Sequence, residues 1–167
     1  MAAVAVESYT MANRATISAG LLLYRRTAGE VEVLLAHPGG PFWASKDQGA
    51  WSIPKGEYAP GEEPLAVAVR EFEEETGAQP RGDFLPLGEI VQPGRKVVSA
   101  WAVAGDFEVA SLKSNLFELE WPPKSGRKSS FPEVDRAEWF SIADARGKIL
   151  RGQAPFLDRL LAAVGAR

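Results

Sequence analysis

Hydrophobic and polar positions along the chain fall into short alternating blocks. Thr16 to Arg25 and Val31 to Ala36 are β-rich runs on either side of Thr27-Ala28-Gly29-Glu30, a pattern that predicts a hairpin. From His37 to Ala50 the chain loosens into a loop with Pro38, Gly39, Gly40, Pro41 and Gly49 around Phe42 and Trp43. Trp51-Ser52-Ile53 reads as a short strand ended by Pro54. The strongest pattern follows: Pro64 in a first-turn position, Gly77 in a C-cap position, and Leu65, Ala68, Val69 and Phe72 on an i, i+3, i+4, i+7 stripe predict a helix. Further strands are expected at Phe84 to Val91 and Lys96 to Val103, joined through Pro93-Gly94, and at Leu116 to Trp121 and Ala137 to Phe140. Pro122 to Pro132, with Lys124, Arg127 and Lys128, reads as a basic mobile loop. Ser141 with Asp144 opens a second helix, and Pro155 with Gly165 brackets a third. Strands before, between and after isolated helices predict an α/β layered domain with a mixed sheet.

Composition narrows this picture more than it extends it. The 167 residues include 46% hydrophobic and 25% charged positions at a net charge of -3, as in an ordinary globular protein. A chain of this size buries roughly 70% of its unfolded surface and needs no disulfide or structural metal. We expect one domain over residues 15–167 and a loose tail over residues 1–14, where Met11 offers an alternative start. The complete absence of Cys excludes thiol nucleophiles, zinc ribbons and iron-sulfur clusters, and a single His, His37, excludes His-rich zinc sites. Any metal must be held mainly by oxygen, which favours magnesium, manganese or calcium. The apolar run Ala19 to Leu23 is far shorter than the roughly 20 residues of a membrane span. Met1 to Val6 lacks the basic flank of a secretory signal, so the expected compartment is the cytoplasm, with no membrane partner.

Charge is distributed unevenly. Residues 57–75 hold seven acids and one base, whereas the rest of the chain holds 18 bases and 15 acids. An acidic focus on a mildly basic body is poorly suited to a nucleic-acid backbone, and no nucleic-acid partner is expected. It suits a site that gathers cations and then accepts a phosphate-bearing ligand. At about 100° per residue, Glu71, Glu74 and Glu75 fall within an arc of roughly 100° beside the apolar stripe, while Glu73 points away. Three carboxylates so placed repel one another unless a cation compensates, and a divalent ion with oxygen ligands does so.

The spacing is specific. Gly56, five residues, Glu62, seven residues, Arg70-Glu71-Phe72, one residue, Glu74-Glu75, one residue, Gly77-Ala78 resembles the signature of the Nudix hydrolase family at every fixed position. Seven fixed positions would recur by chance in a chain of this size on the order of one time in a million. The resemblance implies the family's α/β/α sandwich with a mixed sheet, and hydrolysis of a nucleoside diphosphate linked to another moiety with the help of Mg2+ or Mn2+. A pyrophosphate bond is guarded by negative oxygens, so its hydrolysis calls for charge neutralisation and an oriented, activated water, which metal ions on clustered carboxylates supply. Carried over by position, Glu74 and Glu75 are metal ligands, Glu71 is a ligand or the base, and Gly56 offers its backbone carbonyl. Glu62 and Arg70 form an ion pair that fixes the loop to the helix, and Gly77 closes the helix.

Flanking residues refine the class. Trp51-Ser52-Ile53-Pro54-Lys55-Gly56 resembles the lead-in of Nudix enzymes that act on dinucleoside polyphosphates and diphosphoinositol polyphosphates, with Lys55 meeting phosphate oxygens. Glu133, six residues before Trp139, resembles a loop Glu that serves in the family as metal ligand or base. Glu118 and Glu120 are weaker candidates for that role. Trp43 and Phe131 are candidates to stack on an adenine, and His37, in the same glycine-rich region, is a candidate substrate contact. Arg95 and Lys96 either contact phosphates or are ordinary hairpin-end charges. The expected partner is a small phosphoanhydride, with diadenosine tetraphosphate favoured over inositol pyrophosphates, ADP-ribose, nucleotide sugars and oxidised nucleoside triphosphates. A catalytically silent Nudix-fold binding domain is the competing class. A calcium-binding loop is excluded because its D-x-D-x-D-G pattern is absent.

Overall fold

The structure, a computed structural model, describes residues 16–165, and the expected tail over residues 1–14 lies outside them. β1 (Thr16–Thr27) and β2 (Glu30–Pro38) form the expected hairpin. It turns on two residues of positive φ, Ala28 at 52° and Gly29 at 83°, the geometry whose twist suits a two-residue hairpin loop. β1 is the hub of the main sheet, whose order is β4-β5-β1-β2-β8. On one edge it runs parallel to β5 (Lys96–Ala104), and β4 (Leu85–Gln92) joins β5 antiparallel. On the other edge β2 pairs only with the last residues of β1 and then leaves to pair with β8 (Val134–Ser141).

β3 (Lys55–Glu57) fills the gap so opened, pairing with Ser18 to Gly20. This corrects the sequence expectation of a strand at Trp51-Ser52-Ile53 ended by Pro54. Those residues make only isolated bridges, Ser52 to Ala36 and Trp51 to Ile149. The ladder begins after the proline because Gly20 lets the incoming chain lie close: a Cβ there would stand 2.6 Å from the Pro54 carbonyl oxygen.

Alternation along the buried strands makes two cores. Ala19, Leu21, Leu23 and Leu34 face helix α1 (Pro64–Thr76), which contributes Val67, Ala68 and Phe72. Leu22, Val33 and Leu35 face the opposite layer, made of α2 (Ile142–Lys148) and α3 (Pro155–Val164) with Phe156, Leu157 and Leu160. The fold is an α/β/α sandwich around a mixed sheet, as expected. On α1 the buried set is Val67, Ala68, Phe72 and Thr76, while the expected Leu65 and Val69 are only half-buried. The stripe is displaced because the helix meets β1 along the 68-72-76 line. Thr76 enters that core with its hydroxyl donating to the Phe72 carbonyl at 2.7 Å.

One expected loop is half strand. β6 (Leu116–Glu120) pairs with β7 (Lys128–Pro132) in a separate two-stranded ribbon, so the basic loop is confined to residues 121–127. Lys128-Ser129-Ser130 carries little strand signal of its own, and the ladder is supplied by β6, with Phe117 opposite Phe131.

Candidate active site

Helix α1 is fixed at both ends by local chemistry. Glu63 accepts from the backbone N–H groups of Leu65 and Ala66, and Gly77 takes a left-handed φ of 81° to close the last turn. Arg70 Nη1 donates to Glu62 Oε1 at 3.1 Å, and Glu62 also takes the Ala59 N–H, so the loop after β3 is tied back to the helix. Beyond Gly77, the Asn115 and Lys113 amides bond the Glu74 and Thr76 carbonyls.

Glu71 and Glu75 emerge on the side of α1 turned toward β3. Gly56 lies directly over Glu71, and a Cβ at that position would run into its carboxyl group. Glu75 Oε2 accepts the Lys55 backbone N–H at 2.8 Å. Burial and the nearby Glu71 and Glu133 charges push the Glu75 carboxyl up to about 8, against the pull of Lys55. Burial, then the adjacent Glu74, with which it shares a hydrogen bond, also raises Glu71. Glu133 is raised by burial and by Glu74. These four carboxylates therefore sense one another electrostatically, although they come from the helix and from the turn before β8. Glu73 is exposed, as expected.

A cleft of about 220 Å³ opens beside them, with Lys55, Glu75 and Glu133 on its polar side and Trp43, Ile53 and Val134 on its apolar side. Burial lowers Lys55 from the usual range of an ammonium, with Lys96 adding a like charge nearby. Lys96 opens β5 and does not line the cleft, and Arg95 is a positive-φ turn residue at the end of the β4-β5 hairpin. Glu74 opens on the other side, into a surface hollow of about 450 Å³ shared with Arg70, Lys113 and Asn115. The last turn of α1 stands between the two hollows.

Two expected substrate contacts are not on this surface. His37 is 0% exposed, with Nδ1 2.7 Å from Asp135 Oδ1 and Nε2 2.6 Å from the Lys46 carbonyl, so its ring has no free edge for a ligand. Phe131 belongs to the β6-β7 ribbon, its ring 6.0 Å from that of Phe117, and does not line the cleft. Glu118 and Glu120 are exposed on the ribbon face opposite Phe117 and Leu119, and Glu120 accepts from the Gly126 amide. Sequence reasoning missed Asp47, whose carboxylate takes the Trp51 Nε1–H at 2.8 Å and the Lys148 ammonium at 2.6 Å, pinning the glycine-rich loop. It also missed Gln153, fully buried, which accepts the Ile53 N–H. Neither residue carries a local motif that would single it out.

Comparison with known proteins bears on this site directly, because the NUDIX domain model matches residues 14–160. The chain belongs to the NUDIX family. A bis(5'-nucleosyl)-tetraphosphatase (asymmetrical) of Caenorhabditis elegans is 41% identical over 58 residues, 35% of this chain and 38% of that protein. An RNA pyrophosphohydrolase of Erythrobacter litoralis is 46% identical over 61 residues, 34% of this chain and 35% of that protein. The matches to these curated relatives thus span little more than a third of their length. The NUDIX domain of Shewanella oneidensis NrtR, solved with ADP ribose, has a TM-score of 0.62 at 14% identity, covering 93% of this chain and 97% of that one. At that identity the likeness is one of fold.

Proposed function

We propose that this NUDIX protein is a metal-dependent pyrophosphohydrolase whose substrate is a nucleoside diphosphate linked to another moiety, with diadenosine tetraphosphate as the favoured case. The observation that carries this reading is the meeting, in one cleft, of the box carboxylate Glu75 with Lys55, Glu133 and the half-buried indole of Trp43.

The residues suit a divalent cation in chemistry. The donors are all oxygens, Gly56 lies against Glu71 with no side chain between, and burial holds Glu71, Glu75 and Glu133 in a state that a cation relieves. Among the described residues no three Asp, Glu or His side chains are already gathered closely enough to hold a metal ion. Glu71, Glu74, Glu75, Glu133 and the Gly56 carbonyl would hold Mg2+ or Mn2+, which supplies charge neutralisation and an activated water when bound. Lys55 would bring a cationic head to phosphate oxygens from beside Glu75. Glu133, set in the turn between β7 and β8, would serve as a metal ligand or accept the proton of the attacking water. Trp43 offers a flat apolar face for a base, worth about 1 to 3 kcal/mol when stacked.

Turnover of a panel of phosphoanhydrides, with released phosphate measured, tests the reading. Diadenosine tetraphosphate should show the highest kcat/KM, EDTA should abolish activity, and Trp43→Ala should lower kcat/KM for the dinucleotide by about 10-fold. A higher value for 5'-triphosphorylated RNA, inositol pyrophosphate or ADP-ribose would replace the favoured substrate. Turnover unchanged by EDTA would overturn the metal-dependent mechanism.

A further inference from the structure

We propose that His37 is a positioning residue: its ring, hydrogen-bonded at both nitrogens, braces the loop that carries Trp43 against the segment that carries Glu133. The geometry is specific. Asp135 Oδ1 stands 2.7 Å from Nδ1 and the Lys46 carbonyl oxygen 2.6 Å from Nε2. The Lys46 carbonyl can only accept, so Nε2 carries the hydrogen of that bond and Nδ1 bonds the Asp135 carboxyl group, both in a fully buried site.

The two partners lie 9 and 98 residues from His37, each close in sequence to a residue that lines the cleft, Trp43 and Glu133. Lys46 closes the turn that begins with Trp43, its amide bonding the Trp43 carbonyl at 2.9 Å. Asp135 stands two residues after Glu133, whose own carbonyl accepts the Gly39 N–H at 3.0 Å. One ring therefore sets the spacing between the aromatic wall and the acidic wall.

The neighbours hold the ring and its partners in place. Arg136 has Nε 4.0 Å from the same Asp135 oxygen and its guanidinium 5.2 Å from the Trp51 ring. The Trp51 indole packs edge-on against the imidazole at 5.0 Å. The Lys46 ammonium lies over Trp43 at 4.8 Å. Packing alone would ask only for a ring of this size; the two polar partners ask for a ring with a nitrogen on each side.

The turnover arm of the test rests on the hydrolase reading, and the spectroscopic arms do not. Because His37 is the single histidine, an imidazole-labelled sample reports on it without assignment. The Nε2 hydrogen should be hydrogen-bonded and protected from solvent exchange, and a freely exchanging ring hydrogen would overturn the proposal. His37→Phe keeps the volume and removes both hydrogen bonds, while Asp135→Asn changes the partner at Nδ1 to an amide. Each should lower kcat and raise KM, reducing kcat/KM by about 10- to 100-fold as for groups that orient catalytic ligands, and speed exchange of the Gly39 amide. The double variant should be no worse than His37→Phe. A folded His37→Phe protein with unchanged kcat, KM and Gly39 exchange, even at lowered Tm, would show a packing role and overturn the brace. Should His37→Phe not fold, Asp135→Asn decides by the same readings. Should the wild type hydrolyse no phosphoanhydride, the hydrolase reading fails, and the ring spectrum and Gly39 exchange still decide the brace.

Discussion

The two ends of helix α1 hold the same residue type in opposite states. At its start, Glu62 is exposed and held below the usual carboxylate range by the Ala59 N–H and by Arg70, while Glu63 caps Leu65 and Ala66. At its end, Glu71 and Glu75 are turned against β3 and raised, chiefly by burial. The first pair gains from folding as it stands. The second is penalised by folding until a cation arrives, so the helix keeps its structural acids and its chemical acids about two to four turns apart.

Removing the chemical end should have the largest effect. Glu74→Gln or Glu75→Gln should lower kcat at least ~10²-fold with the fold intact, as for loss of an electrostatic element of a transition state. Near-wild-type rates in both would move the site elsewhere. Glu133→Gln should follow, with a loss of about 10²-fold expected of a general base, while Glu120→Gln, exposed on the ribbon, should be close to neutral. The reverse order would transfer the role to the ribbon.

Stability against pH sharpens the same contrast. Glu75 goes from 4.5 unfolded to about 8 folded, so folding of the metal-free protein favours its protonated form. Stability should therefore be fullest below about 4.5 and decline as pH rises toward about 8, by up to roughly 4 kcal/mol from this group. Glu62 acts with the opposite sign, its contribution present above the usual carboxylate range and lost as pH falls. Thermal melts in EDTA should show the alkaline decline; Mg2+ should offset it above pH 8, and Glu75→Gln should flatten it. An unchanged slope in that variant would remove Glu75 as its source. The smallest effect belongs to the structural end, where Glu62→Gln should shift Tm by about 2 °C or less, as for an exposed ion pair.

How much could be foreseen follows from how local each feature is. Helix α1 is written between Pro64 and Gly77, and the box spacing is a property of one segment. The sandwich followed from alternation in β1 and β2, which assigns Leu21 and Leu22 to opposite layers. β7 escaped notice because Lys128-Ser129-Ser130 becomes a strand only through β6. The burial of His37 is set by Asp135, 98 residues away, so no window around residue 37 contains it. The cleft was legible as residue types but not as a surface: Phe131 and Trp43 look equivalent in sequence, and only the packing of the ribbon separates them.

The parallel register of β1 with β5 matches Leu21 to Trp101, and helix α1 lies within the span of chain between them. Such a pairing closes a loop of about 80 residues before any of its ladder forms, an entropic cost that local turns avoid. Folding should therefore proceed on the millisecond-to-second scale of non-local topologies, with the β1-β2 hairpin able to form early and the β1-β5 ladder late. The carboxylates of α1 would then gain their shared, desolvated surroundings only as the chain finishes folding, which leaves the nascent chain with a solvated acidic helix.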